Sequence, residues 1–421
     1  MSNFIGQIKN FFERQTENFR VLLATMVLNT SIKTMTTSRA RGASYLQLYL
    51  RSLGANPQQL GYLNSLTHIA NTLFAIPIGW FSDRFSLKKV ALAGFILSVI
   101  APTAFALSTT WAQAMPAMMI NGITVAGMIT NVFFITSVRE HSDRATAMSM
   151  KSTLTSLVGL LIPSLSAIIV LNFGGISVEG IRPLFIISTF VSLLILIYTT
   201  LKLKEVAFLQ KDTGQKKRSL FQDYKEIASI PEFQKWTCTK CLRSFFSRSL
   251  MPFYSLFYVE IKGADVTTIA AMGTVATLGA LIFLVPFGRL ADKHGRKKII
   301  YLTRPFNYLS ILVTILAPSP EWLILAAFFG ALQTVSQLME ITLEHELLPE
   351  EQRGRVAGFN SFLWGLAGIP GPILIGYLWQ RVNPAYLLIL PILADLPFLA
   401  ILPTIPDISM GESELYERRE S

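Results

Sequence analysis

Residues 79–107 read GWFSDRFSLKKVALAGFILSVIAPTAFAL, and residues 288–316 read GRLADKHGRKKIIYLTRPFNYLSILVTIL. In the first stretch, Val90 to Leu107 runs without a charged side chain. As a helix rising 1.5 Å per residue it spans about 27 Å, close to the ~30 Å hydrocarbon core of a bilayer. Leu184 to Leu201 and Leu387 to Leu402 are comparable apolar runs. Inside a bilayer every backbone amide needs an internal partner, which leaves helices or a closed barrel. A barrel requires period-two alternation, and these runs are continuous, so the fold class is an all-α membrane protein.

Composition agrees. Of 421 residues, 51% are hydrophobic and only 15% charged, against about 25% charged in an ordinary soluble domain. The mean hydropathy is +0.46. Apolar blocks between charged or Gly/Pro breaks define twelve spans, at 20–50, 58–82, 88–108, 111–138, 144–172, 182–202, 232–261, 266–291, 297–317, 321–347, 353–380 and 384–404. The net charge of +11 does not imply a nucleic-acid partner, because Lys and Arg gather in alternate loops: Arg84, Lys88 and Lys89; Arg139 and Arg144; 202–218; Lys293 to Lys298; Arg353 and Arg355. The positive-inside rule places these loops, and both termini, in the cytoplasm of a multi-pass cell-membrane protein. Met1 to Arg20 is polar and lacks the apolar core of a signal peptide, which agrees. The expected organisation is a cytoplasmic segment 1–19, a six-helix bundle 20–203, a cytoplasmic linker 204–231, a second bundle 232–405 and a tail 406–421. The two cysteines, Cys238 and Cys241, form a lone C-x-x-C without a second ligand pair, so neither a metal nor a cofactor is expected.

The two bundles repeat. Gly54 and Gly263, Gly79 and Gly288, Asp83 and Asp292, Arg144 and Arg353, and Pro163 and Pro372 are each separated by 209 residues. Internal repeats of this kind are typical of transporters, with the substrate site near the midplane at the repeat interface.

The paired turns Gly79 to Lys89 and Gly288 to Lys298 resemble the G-x-x-x-D-[RK]-x-G-[RK]-[RK] signature of the major facilitator superfamily. The second copy fits throughout; the first has Ser86 for the second glycine and Leu87 for a basic residue. The resemblance covers essentially the whole chain. It implies twelve transmembrane helices in two pseudo-symmetric six-helix bundles that move a small solute by alternating access. It also implies a gating role for Gly79, Asp83, Arg84, Gly288, Asp292 and Arg296, with Asp83 facing the start of helix 11. Gly159-x-x-x-Pro163 and Gly368-x-x-x-Pro372 partly resemble the family's antiporter motif, but Ile162 precedes the proline where the motif prefers glycine, which favours a kinked, close-packed helix.

Ionisable side chains at bilayer depth are costly and therefore candidates for function. Arg39 and Arg248 each lie fifteen residues before a repeated glycine, inside helices 1 and 7. By resemblance these helices line the central cavity, and the pair is similar to that of the organophosphate/phosphate antiporters. Guanidiniums there suit a carboxylate or phosphate, which each can bind bidentately. The alternative is that both form buried ion pairs with Glu340 or Glu344. Arg41 is about 200° around the helix from Arg39 and points elsewhere. On helix 10, Gln333, Gln337, Glu340 and Glu344 share a face, and Asn131 is the repeat partner of Glu340. Asn131 and Gln337 join the expected substrate site. Glu340 is the first candidate for a proton carrier, Glu344 the second, either coupling or simply a solvated helix end. His68, titratable and on a polar face of helix 2, is a further proton-coupling candidate, the alternative being a hydrogen-bonded wall residue. Arg304 in helix 9 and Asp395 in helix 12 are expected to form a structural salt bridge.

The function expected is therefore transport of a small solute, an organic or phosphorylated anion, coupled to protons or a counter-substrate, by a monomer in the lipid bilayer. A polyspecific drug/proton antiporter competes, given the aromatic and Met-rich helix 7 from Phe245 to Phe257. A non-transporting membrane receptor is the alternative from another class. No nucleotide loop or nucleophile constellation suggests an enzyme.

Overall fold

The structure, a computed structural model, describes residues 11–37, 41–84, 86–123, 126–140, 143–205, 231–346, 363 and 365–405. These are helical, with no strand among them. Seven of their helices are long and apolar enough to cross a membrane, and several further spans are interrupted. In the first half, helices cover Glu17–Thr36 and Tyr45–Ser52 (span 1), Pro57–Arg84 (span 2) and Leu87–Leu107 (span 3). Met115–Gly122 and Ala126–Thr136 make span 4, Arg144–Asn172 span 5 and Val178–Lys202 span 6. In the second half, Pro231–Leu250, Phe253–Leu256 and a π turn at Phe257–Ile261 make span 7. Val266–His294 and Arg296–Leu316 are spans 8 and 9. Span 10 is Trp322–Gly330 with Leu332–Glu346, span 11 Gly365–Trp379, and span 12 Pro384–Leu387 with Leu390–Ile401.

The described residues divide into two compact units. Unit 1 holds those from 11–37, 44–55 and 66–205; unit 2 holds those from 41–43, 56–65 and 231–405. Two short segments of the first half, 41–43 and 56–65, thus fall within unit 2. The core of unit 1 is built on Phe19, Leu22, Phe95, Phe133 and Phe134, with Phe19 stacked on Phe134 at 5.0 Å. That of unit 2 is built on Trp236, Ile299, Val335, Leu343 and Phe398. On span 5, Leu157, Leu161, Leu165 and Ile168 form an exposed stripe at helical spacing. A continuous apolar stripe of this kind belongs against lipid.

The sequence repeat has local structural causes. Gly54 and Gly263 both adopt positive φ, +92° and +69°, just after spans 1 and 7. A Cβ would meet nothing nearby at either position, so the requirement is backbone conformation rather than space. Two residues on, Asn56 and Asp265 cap the next helices. Asn56 and Gln59 exchange reciprocal backbone–side-chain bonds of 2.8 Å, and Asp265 accepts from the Thr268 amide at 2.7 Å. The signature turn is built in two ways. Gly295 turns the chain at φ +89° between spans 8 and 9. Ser86 holds the equivalent place at φ −59° and its hydroxyl caps span 3, accepting from the Lys89 amide. The substitution that breaks the motif in the first copy therefore replaces a left-handed turn by a side-chain cap.

Span 1 is not one continuous helix. It ends at Thr36, with Thr37 extended at φ −137°, and resumes at Tyr45. Span 7 breaks at Met251 and Pro252, within the range that a 209-residue offset assigns to the span 1 break. Spans 4 and 10 also break at glycine, after Gly122 and Gly330. At Gly122 a Cβ would lie 2.4 Å from the Thr67 carbonyl oxygen, so span 2 approaches here only because no side chain intervenes.

Gly122→Ala is expected to destabilise the protein by about 1–3 kcal/mol through overpacking, read as a lower Tm in detergent. Asp265→Ala should cost about 1 kcal/mol near neutral pH. Hydrogen bonding from Thr268 holds the Asp265 carboxyl below its ordinary range. Its stabilisation is therefore present above the unfolded-state pKa and lost as pH falls through the lower folded-state value. The gap between wild type and Asp265→Asn should narrow below about pH 4.

Candidate functional site

Unit 2 encloses a lattice of six charges. Lys240 and Arg243 come from span 7, Arg304 from span 9, Glu340 and Glu344 from span 10 and Asp395 from span 12. Arg243 grips Glu340 bidentately, Nη1 to Oε2 at 3.0 Å and Nη2 to Oε1 at 3.1 Å. Its Nε also lies 2.5 Å from Asp395 Oδ1. Arg304 donates to Glu340 Oε1 and pairs with Asp395 at 3.4 Å. The Tyr308 hydroxyl donates to Asp395. Glu344 accepts from Lys240 and, at 3.3 Å, from the Trp236 indole N–H. Both guanidiniums lie over the Phe398 ring, at 4.2 and 5.5 Å from its centroid. The side chains of Arg304, Glu340 and Asp395 are 3–4% exposed. Three cations face three carboxylates, so the lattice as a whole is neutral. Neutrality and full pairing allow charges at this depth, where one unpaired ion would be costly.

The sequence-predicted residues fall into three groups. The first is drawn into the lattice: Arg304, Asp395, Glu340 and Glu344. Glu344 is buried rather than a solvated helix end. Neither glutamate pairs with Arg248 among the described residues; their partners are Arg243, Arg304 and Lys240. The second group lies apart from the lattice. Arg248 is exposed near the span 7 break and forms no ion pair among the described residues. Gln337 is exposed, although Glu340 and Glu344 on the same face are buried. Gln333 instead accepts from Arg41, as does Asn307, so Arg41 is tied within unit 2. In unit 1, Asn131 accepts from Lys151 Nζ at 2.6 Å, and His68 is half-buried on span 2. The third group is the signature turns and Arg39. Asp292 is exposed, Arg296 half-buried, and a Cβ at Gly288 would meet open space. Gly79, Asp83 and Arg84 lie on the span 2 helix, with side chains outside the described residues. Arg39 is outside the described residues.

Lys240, Trp236 and Tyr308 are not singled out by the sequence reading. A signal does exist: Trp236, Lys240 and Arg243 follow at spacings of four and three on one face of span 7. That face matches the i, i+4 acids Glu340 and Glu344 of span 10.

Unit 1 handles the same ground differently. Subtracting 209 from the lattice positions gives Ser31, Thr34, Phe95, Asn131, Ile135 and Ile186, none of them ionisable. Instead of a lattice, spans 1, 3, 4 and 6, with Thr67 of span 2, line a half-open cavity of about 420 Å³. Thr34 and Phe95, the counterparts of Arg243 and Arg304, both line it.

Twelve spans in two repeats, with the doubled turn signature, find their match in one family. The sequence aligns with the Major Facilitator Superfamily over residues 21–259 and again over 237–408. The chain belongs to the Major Facilitator Superfamily. Among curated relatives of this transporter, "Multidrug resistance protein 2" of Bacillus subtilis (strain 168) is 23% identical over 344 residues, covering 79% of this chain and 82% of that protein. Among solved structures, the nucleoside transporter NupG superposes with a TM-score of 0.69 at 12% identity, covering 92% of this chain and 99% of that one. A D-xylose-proton symporter superposes with a TM-score of 0.70 at 15% identity, covering 94% and 100%. At these identities the superfamily transporters share the fold, a multi-pass helical membrane protein.

Because the lattice is a coupled set, removing one charge should harm more than removing a pair. Asp395→Asn is expected to cost about 3–5 kcal/mol, since it leaves Arg243 and Arg304 undercompensated. Lys240→Met combined with Glu344→Leu should cost less than either alone. A thermal-melt double-mutant cycle in detergent checks this, and strictly additive losses would show that the two residues are not coupled.

Proposed function

We propose that this superfamily transporter moves a small organic or phosphorylated anion across the cell membrane by alternating access, with both termini in the cytoplasm as the basic loops require. The observation that carries this reading is an imbalance of partners. The buried acids of unit 2, Glu340, Glu344 and Asp395, are already matched by its own cations. Arg248 and Lys151 have no carboxylate partner among the described residues. A transporter with uncompensated cations along its spans suits an anionic cargo, whose carboxylate or phosphate supplies the missing charge. Arg248 is the residue proposed to hold that group, with Arg39 as its repeat counterpart and Gln337 and Asn131 as neutral hydrogen-bonding residues.

Commitment of the acids to the lattice favours exchange against a second anion over proton coupling through Glu340 or Glu344. His68 remains the titratable candidate outside the lattice. A polyspecific drug/proton antiporter is the second reading, favoured by the name of the Bacillus relative. It needs an acid free to exchange the proton, and Glu340, Glu344 and Asp395 are engaged.

Uptake into proteoliposomes decides between the two. Labelled glycerol phosphate should accumulate, and an internal anion should speed its entry. Arg248→Gln is expected to lower anion uptake by about tenfold to a hundredfold, the worth of a charge-assisted hydrogen bond of roughly 1.5–3 kcal/mol. Uptake of ethidium instead, unaffected by Arg248→Gln, would overturn the anion reading.

A further inference from the structure

The cavity inside unit 1 is a separate place from the residues proposed above to carry cargo. It lies among spans 1, 3, 4 and 6 and is about 420 Å³, within the 300–1,000 Å³ range of small-molecule sites. Lys33 is the one charged residue among its described lining residues. Around it the wall offers neutral donors and acceptors, among them Asn29, Asn121, Thr130, Ser98 and Ser192, while the remainder is apolar and aromatic. Lys33 is exposed to open space rather than packed away, and its side chain has no ion-pair partner among the described residues. Between Arg20 and Glu140 the sequence contains a single acid, Asp83, at the far end of span 2.

The contrast with unit 2 says what is missing. There, the equivalents of Thr34 and Phe95 are Arg243 and Arg304, and the same region of the bundle is filled by guanidiniums and carboxylates of the protein itself. In unit 1 the fold keeps a cation, Lys33, and supplies neither the carboxylate nor the bulk. We propose that this cavity is a binding site for a small organic anion with an apolar body, its carboxylate paired to Lys33 and its body against Phe95 and the neighbouring wall. A single ammonium binds as a point charge, so one carboxylate suffices and bidentate geometry is not demanded. The hydroxyls and amides accept the polar remainder of the ligand, and the volume suits a small molecule. The site stands whether or not Arg248 carries cargo.

The test uses the full chain in nanodiscs with two probes of one shape, 4-phenylbutyrate and its uncharged amide, 4-phenylbutyramide. Calorimetric titration should show the acid binding at least about tenfold tighter than the amide, as a charge-assisted contact predicts. Lys33→Gln should erase that discrimination while leaving weak binding of both probes; Lys33→Arg should keep it. Ser98→Leu, which fills the cavity without touching the charge, should weaken both probes together, with an unchanged Tm reporting a folded protein. Arg248→Gln should leave the discrimination intact, which separates this site from the proposed transport residue. Equal affinity for acid and amide in the wild type, discrimination that survives Lys33→Gln, or discrimination lost in Arg248→Gln would each overturn the assignment.

Discussion

A charge inside a bilayer must find its opposite nearby, and this constraint organises the second half of the protein. Arg243 and Arg304 share Glu340 and Asp395, and Lys240 takes Glu344. The result ties spans 7, 9, 10 and 12 to one another without help from the hydrophobic effect, which is weak between helices that already sit in oil. Phe398 and Trp236 add the flat faces on which those cations rest. Tyr308 completes the coordination of Asp395. No member can be neutralised alone without stranding another, so the set behaves as one unit.

The two halves share a scaffold and differ in what fills it. The repeat is kept where the backbone demands it: a left-handed glycine after spans 1 and 7, an Asn or Asp cap two residues later, and helix breaks at matching places. It is abandoned in the interior, where six ionisable positions of unit 2 correspond to Ser, Thr, Phe, Asn and Ile in unit 1. Backbone geometry tolerates little substitution, whereas an interior can be filled by ion pairs, apolar side chains or a ligand. One bundle is thus self-neutralised and closed around its charges. The other retains a cavity and a lysine.

Several of these features are legible in the residues. Arg304 and Asp395, the charges set within the apolar runs of spans 9 and 12, lie within 3.4 Å. The glycines at 54 and 263 announce turns, and the serine at 86 shows its reason once the cap is seen. What escapes the sequence has a common cause. Glu340 reads as a proton carrier because a lone buried glutamate is usually worth suspecting; its two guanidinium partners come from residues 97 and 36 positions away. Glu344 reads as a second proton carrier or a solvated end, since its partner Lys240 is 104 positions away. A continuous helix through 20–50 fits the apolar pattern, yet extended backbone at Thr37 ends it.

Sequence alone determined the class, the number of spans, the repeat and the superfamily, because these follow from run length, backbone demands and local turns, all of which act over short stretches of chain. Tertiary structure decided which charges neutralise which, that Arg248 and Lys33 are left without such a partner among the described residues, and that unit 1 holds a cavity where unit 2 holds a lattice. Those outcomes depend on side chains from four different spans meeting at one depth. Pairing at about 3 Å is set by how helices pack, and no spacing along a single helix records it.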